Sequence, residues 1–167
     1  MDLHIFLITT HLIGVALGVG GATFGGILYL KALKDGKIDP MEGEWLSIIF
    51  TTLRVGLVIT VLSGFGFLLE YRMTGQEERL LDPRLWAKLT IIFILVSNAL
   101  LMQMRKIPMW LGEGLSITSW YGALTLGIIR GADYSYFTFL IFYAIAVFVI
   151  IGVLSIIKKL YLGKYFI

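Results

Sequence analysis

Two histidines, His4 and His11, stand seven residues apart in the first apolar segment, and the same step of seven continues to Gly18 and Gly25. Seven residues make about two helical turns, so on a helix the four positions share one face, with Gly14 and Gly21 close beside it. Imidazole nitrogens ligate iron and copper, and a strip without side chains admits a flat ring or a second helix at close range. Two cations also fall inside apolar runs, Arg54 near the middle of the second and Lys88 a turn or so into the third. A charge at the centre of a membrane helix costs on the order of 2.5–3.5 kcal/mol and needs backbone, water, lipid headgroups or an anionic ligand around it.

The elements that must position these residues are membrane helices. The chain has 167 residues, is 58% hydrophobic and has a mean hydropathy of +0.89, a composition that a water-exposed surface does not tolerate. Apolar runs of about twenty residues separated by short polar stretches leave room for one all-α polytopic bundle and no separate soluble domain. Five spans are expected, at about 3–30, 45–71, 83–104, 109–130 and 135–157. The first lacks the basic start and small-residue cleavage site of a signal peptide and reads as a retained helix.

Local signals mark the ends of these spans. Asp39, Pro40 and Glu42 suit the cap, first and third positions of the second helix, and Asp82 with Pro83 start the third. Thr74 and Glu77 suit the cap of a short surface helix between them. Gly112, Glu113 and Gly114 either break the fourth helix or lie inside it. Gly131 and Asp133 form a tight connection to the fifth span.

Charge sets the expected orientation. Lys31, Lys34, Lys37, Arg105, Lys106, Lys158, Lys159 and Lys164 fall on one side, against Arg72, Arg79, Arg84 and Arg130 on the other. The richer side is retained in the cytoplasm, which puts the N-terminus outside and the C-terminus inside, in what reads as a prokaryotic cytoplasmic membrane. The net charge of +3 is explained by these loops and does not point to nucleic acid. With no cysteine in the chain, disulfides and thiolate metal sites are excluded.

In this frame His4 lies at the outer surface and His11 roughly 10 Å deeper, while the carboxylates Glu70, Asp133 and Glu113 stay near helix ends. Heme b or a related tetrapyrrole answers the resulting need for an anion. His11 would be its axial ligand, Arg54 and Lys88 would pair its propionates, and Gly18 would let the ring lie close, all in the outer half of the bilayer. The second axial ligand would come from another helix or subunit, or be absent. Copper is the alternative, held by His4 and His11 with Met1 or a partner protein.

Plainer uses compete with each role. His4 suits an interface, His11 can bond Ser, Thr or Asn98 across helices, and Lys88 can snorkel outward. Gly14, Gly18, Ala22 and Gly26 form a small-residue series that packs helices, with Ser63, Gly64 and Gly66, or Gly122 and Gly127, as facing partners. A noncatalytic subunit of a larger respiratory or photosynthetic complex, or a homo-oligomer, would use that face for docking and supply Arg54 with its counter-charge.

The segments HLIGVALGVGGATFGGILYL, LRVGLVITVLSGFGF and LWAKLTIIFILVSNALLM resemble the first three helices of the bacterial copper-resistance D and HemJ-type protoporphyrinogen oxidase membrane proteins. The resemblance covers roughly the first hundred residues. It implies a helical membrane bundle, carries over His11, Arg54 and Lys88 by position, and makes a quinone a reasonable electron partner. A tryptophan near Gly18 and a Pro-Arg after the glycine pair, both frequent in such proteins, are missing here.

Overall fold

The computed structural model describes residues 2–34, 36–129 and 134–163, so Met1, Arg130, Gly131, Asp133 and Lys164 of the sequence reading lie outside the described residues. The described chain is all-helical: α1 (Leu3–Ala32), α2 (Pro40–Met73), α3 (Pro83–Gln103), α4 (Met109–Ile128) and α5 (Tyr136–Leu162), with a short 3-10 helix, Glu77–Leu81, before α3. Local chemistry sets the starts. Asp39 and Glu42 form a reciprocal capping box around Pro40, and Asp2 and Ser135 cap α1 and α5. Asp82 accepts from the Arg84 backbone N–H at 2.8 Å and from the Arg84 guanidinium at 2.7 Å. That guanidinium holds the Asp82 carboxyl below its ordinary range. Thr74 closes α2 and does not open the surface helix.

Four helices, α1, α2, α3 and α5, are long and apolar enough to cross a membrane. The fourth expected span, α4, is a continuous helix that includes Gly112, Glu113 and Gly114, but it falls short on apolarity. Its position explains this. Packed against α1, α3 and α5, it turns Glu113, Thr118, Ser119 and Trp120 into the interior, where other helices rather than lipid surround them. At the other extreme, α5 exposes Phe137 and Phe148 and buries little. Its hydroxyls anchor it, Tyr143 to Ser119 at 2.8 Å and Tyr136 to Thr90 at 2.9 Å.

The closest pairing is α1 against α2, antiparallel and in one register. His4 faces Glu70, His11 faces Ser63, Gly14 faces Thr60, Gly18 faces Gly56, Gly21 faces Leu53 and Gly25 faces Ile49. At Gly56 a Cβ would stand 2.8 Å from the Gly18 nitrogen and 2.9 Å from the Gly14 carbonyl oxygen, so the two backbones touch. On its other side Gly18 receives the Trp120 indole from α4, which joins Ala22, Leu57 and Leu95 in the core. A second cluster, Ala87, Ile91, Leu126 and Phe139, ties α3, α4 and α5.

The packing generates a paired expectation. Gly18→Ala forces a methyl into the Trp120 ring and should destabilise the protein by about 1–3 kcal/mol, as overpacking does. Gly20→Ala, two residues away with open space around it, should leave stability unchanged or slightly raised. Thermal unfolding of both variants in detergent checks this, and equal effects would contradict the packing.

Candidate functional site

On the α1–α2 face, each histidine has a protein partner. His4 Nδ1 meets both Glu70 oxygens, at 3.0 and 3.1 Å, and Glu70 is buried to 8% exposure. Ser63 donates its hydroxyl to the Ile59 carbonyl at 2.7 Å, which leaves its oxygen to accept from His11 Nδ1–H at 2.9 Å. In the neutral ring Nε2 then carries the lone pair. Phe67, between Ser63 and Glu70 in sequence, packs edge-on against both imidazoles, at centroid distances of 6.0 and 5.7 Å. Lys88 is within electrostatic range of His11.

These residues do not make the site expected from sequence. Gly18 is covered by Trp120, so the strip that was to receive a porphyrin is filled by an indole. Arg54 is not near His11. The α1 residues level with it, around Gly20 and Gly21, lie about 15 Å farther along the helix. Within one chain, His11 stands against Ser63, Gly18 lies under Trp120 and Arg54 lines a cavity that neither of them reaches. The copper alternative is no better supported by donors: His4 is engaged with Glu70, and no three His, Asp or Glu side chains gather among the described residues.

A cavity lies at the other end of the bundle, among the C-terminal half of α1, the first half of α2, the end of α3 and the start of α4. Its volume is about 220 Å³, and neither His4, His11, Lys88 nor Gly18 lines it. Space exists there because the α1 side of the wall is Gly21, Ala22, Gly25 and Gly26. Leu53, Phe50, Leu95 and Ile117 make most of the remaining wall apolar, and Arg54, Asn98 and Glu113 are set into it.

Arg54 lines the cavity yet is exposed, so it stands at the mouth, where α2 and α3 make little direct contact. It lies fourteen residues into the 34-residue α2, about 21 Å along a helix of about 51 Å. Among the described residues it makes no hydrogen bond or ion pair. Glu113 is 7% exposed and binds Lys158 of α5 through Oε2 at 2.5 Å, while its Oε1 has no partner. The Lys158 ammonium also sits 5.5 Å from the centre of the Tyr29 ring. Asn98, 3% exposed, donates Nδ2 to the Gly112 carbonyl at 2.8 Å and leaves Oδ1 without a partner.

Charge counting gives the cavity its character. Glu113 is neutralised by Lys158, so the Arg54 guanidinium is left as one uncompensated positive charge at the entrance. A guanidinium offers a planar fork of donors to a carboxylate or phosphate, and in a low-dielectric wall that pairing is strong. Arg54 stands on the cavity wall and His11 against Ser63, in separate surroundings.

Sequence reading missed the pair Glu113–Lys158. Glu113 was placed near an interface and Lys158 in a basic tail, whereas the two meet inside the bundle. One signal was available: the glycines flanking Glu113 and the glycine at Gly26. A Cβ at Gly112 would strike Met102, one at Gly114 would strike Ile151, and one at Gly26 would stand 3.2 Å from Glu113 Oε1. A carboxylate set between positions that need close approach is being drawn inward. Comparison of the chain with protein-family models, with curated proteins and with solved structures finds no match.

Removing one member of a buried ion pair leaves the other charge stranded, at a cost of about 3–5 kcal/mol for full burial and less here because Lys158 keeps some exposure. Lys158→Leu should therefore lower the unfolding midpoint, and the double variant Lys158→Leu/Glu113→Leu should recover most of the loss. A double variant no more stable than Lys158→Leu would contradict a paired Glu113.

Proposed function

We propose that this protein is an integral membrane protein that binds the headgroup of an anionic amphiphile, admitted from the bilayer between α2 and α3 and anchored at Arg54. The observation that carries this reading is the guanidinium at the mouth of an apolar-walled cavity, without an ion-pair partner among the described residues, beside a carboxylate already neutralised by Lys158. The apolar wall suits a ligand that partitions into lipid, and the small volume suits its polar end rather than its tail.

The sequence-based tetrapyrrole reading overlaps with this proposal at one point, a propionate paired with Arg54. Iron ligation by His11 Nε2 would belong to a separate site completed by another chain, as would the redox role and the quinone partner that depend on it.

Binding of oleate to the purified protein in uncharged detergent tests the proposal, with methyl oleate as the neutral control. Oleate should bind and the ester should bind far more weakly. Loss of charge-assisted hydrogen bonds costs about 1.5–3 kcal/mol, so Arg54→Gln should weaken oleate binding roughly ten- to a hundredfold. Equal binding by Arg54→Gln and wild type would overturn the proposal. A Soret band in the isolated protein that vanishes in His11→Ala would move the function to the histidine face instead.

A further inference from the structure

Arg54 explains where an anion would sit but not what else the cavity asks of its ligand. Two other polar side chains belong to the same wall, Asn98 and Glu113, and each has one buried acceptor, Oδ1 and Oε1, with no donor among the described residues. Both side chains are more than nine-tenths buried, at 3% and 7% exposure. Leaving such an acceptor dry costs on the order of 1–3 kcal/mol, so an unpartnered pair on one cavity wall is an unmet demand for a donor.

The geometry also fixes which atoms are unmet. The Asn98 amide cannot be turned round, because its nitrogen donates to the Gly112 carbonyl at 2.8 Å, and an oxygen there would face another oxygen. Glu113 is held through its other oxygen by Lys158, leaving Oε1 toward Gly26, a cavity-lining residue with no side chain to intervene. Gly112 links the two acceptors, since it precedes Glu113 in α4 and receives the Asn98 amide from α3.

His4 and His11 are bonded to Glu70 and Ser63, and the second groove, lined by Ala16, Leu17, Gly20 and Phe24 among others, carries no charged group.

We infer that the cavity selects a headgroup in which an N–H or O–H donor stands beside the anionic group, the anion going to Arg54 and the donor to Asn98 Oδ1 and Glu113 Oε1. Plain fatty acids offer the first feature without the second; N-acyl amino acids and hydroxylated acidic lipids offer both. This selectivity rests on the proposed anion site and adds a specificity that Arg54 alone does not supply.

N-oleoylglycine and N-oleoylsarcosine form the probe pair, since they share tail, carbonyl and carboxylate and differ in whether the amide nitrogen carries hydrogen or methyl. Wild-type protein should bind N-oleoylglycine at least tenfold more tightly than N-oleoylsarcosine. Arg54→Gln should weaken both probes and leave their ratio in place. Asn98→Ala, and separately Glu113→Leu/Lys158→Leu, should shrink the ratio toward one, each variant being used only if it elutes as a single folded species.

The wild-type ratio needs no variant to fold, and a ratio near one with both probes dependent on Arg54 would overturn the donor assignment while leaving the anion site standing. A ratio that survives in both acceptor variants would also overturn it, because the methyl group would then act by bulk. Failure of both probes to bind, or binding indifferent to Arg54→Gln, would remove the anion site and this inference with it.

Discussion

The backbone contact between Gly18 and Gly56 is the constraint on which the rest of the arrangement depends. With a Cβ at Gly56 excluded by the backbone of the opposing helix, α1 and α2 meet backbone to backbone, and the approach fixes a single register along their length. That register puts His11 opposite Ser63 and His4 opposite Glu70. The open side of Gly18 is where the Trp120 indole of α4 enters the core. Without the glycine, the tryptophan would have no seat, and α4 would not lie where it can touch α1, α3 and α5 together.

The same series of small residues has two uses along one helix. Gly14 and Gly18 are covered by Thr60, Gly56 and Trp120, and there the absent side chains bring helices together. Beyond Gly21 the small residues Ala22, Gly25 and Gly26 line the cavity, and at Gly26 the near neighbours from α4 are Glu113 and Ile117. Charge follows shape. The carboxylate enters the bundle because Lys158 can meet it from α5, and once it is neutralised the local balance is tipped by Arg54.

Much of the fold was legible in the residues because its determinants are local. Asp39, Pro40 and Glu42 announce the start of α2, and Asp82 with Pro83 announce α3, through capping chemistry that acts over three or four residues. The Ser63 contact of His11 belonged to the hydrogen-bonding use open to that histidine, and the small-residue series predicted helix packing. Depth along a helix is also readable, from a rise per residue. What depth does not carry is direction around the axis and which neighbour stands there, so Arg54 and His11 were grouped although they lie at different levels and serve different surroundings. Glu113 and Lys158 are separated by 45 residues and become partners only through the packing of α4 on α5. The lower apolarity of α4 is visible in its residues, but its reason, enclosure by α1, α3 and α5, appears only in the packing.

Photocrosslinking with a diazirine-bearing oleate, followed by mapping of the modified residues, tests the cavity as a ligand site most directly. The account predicts adducts concentrated on the walls between α2 and α3, at Leu53, Leu95 and Ala99, competed away by unlabelled oleate and lost in Arg54→Gln. Adducts spread without competition over outward positions such as Phe137 and Phe148 of α5, with none at the cavity wall, would contradict it.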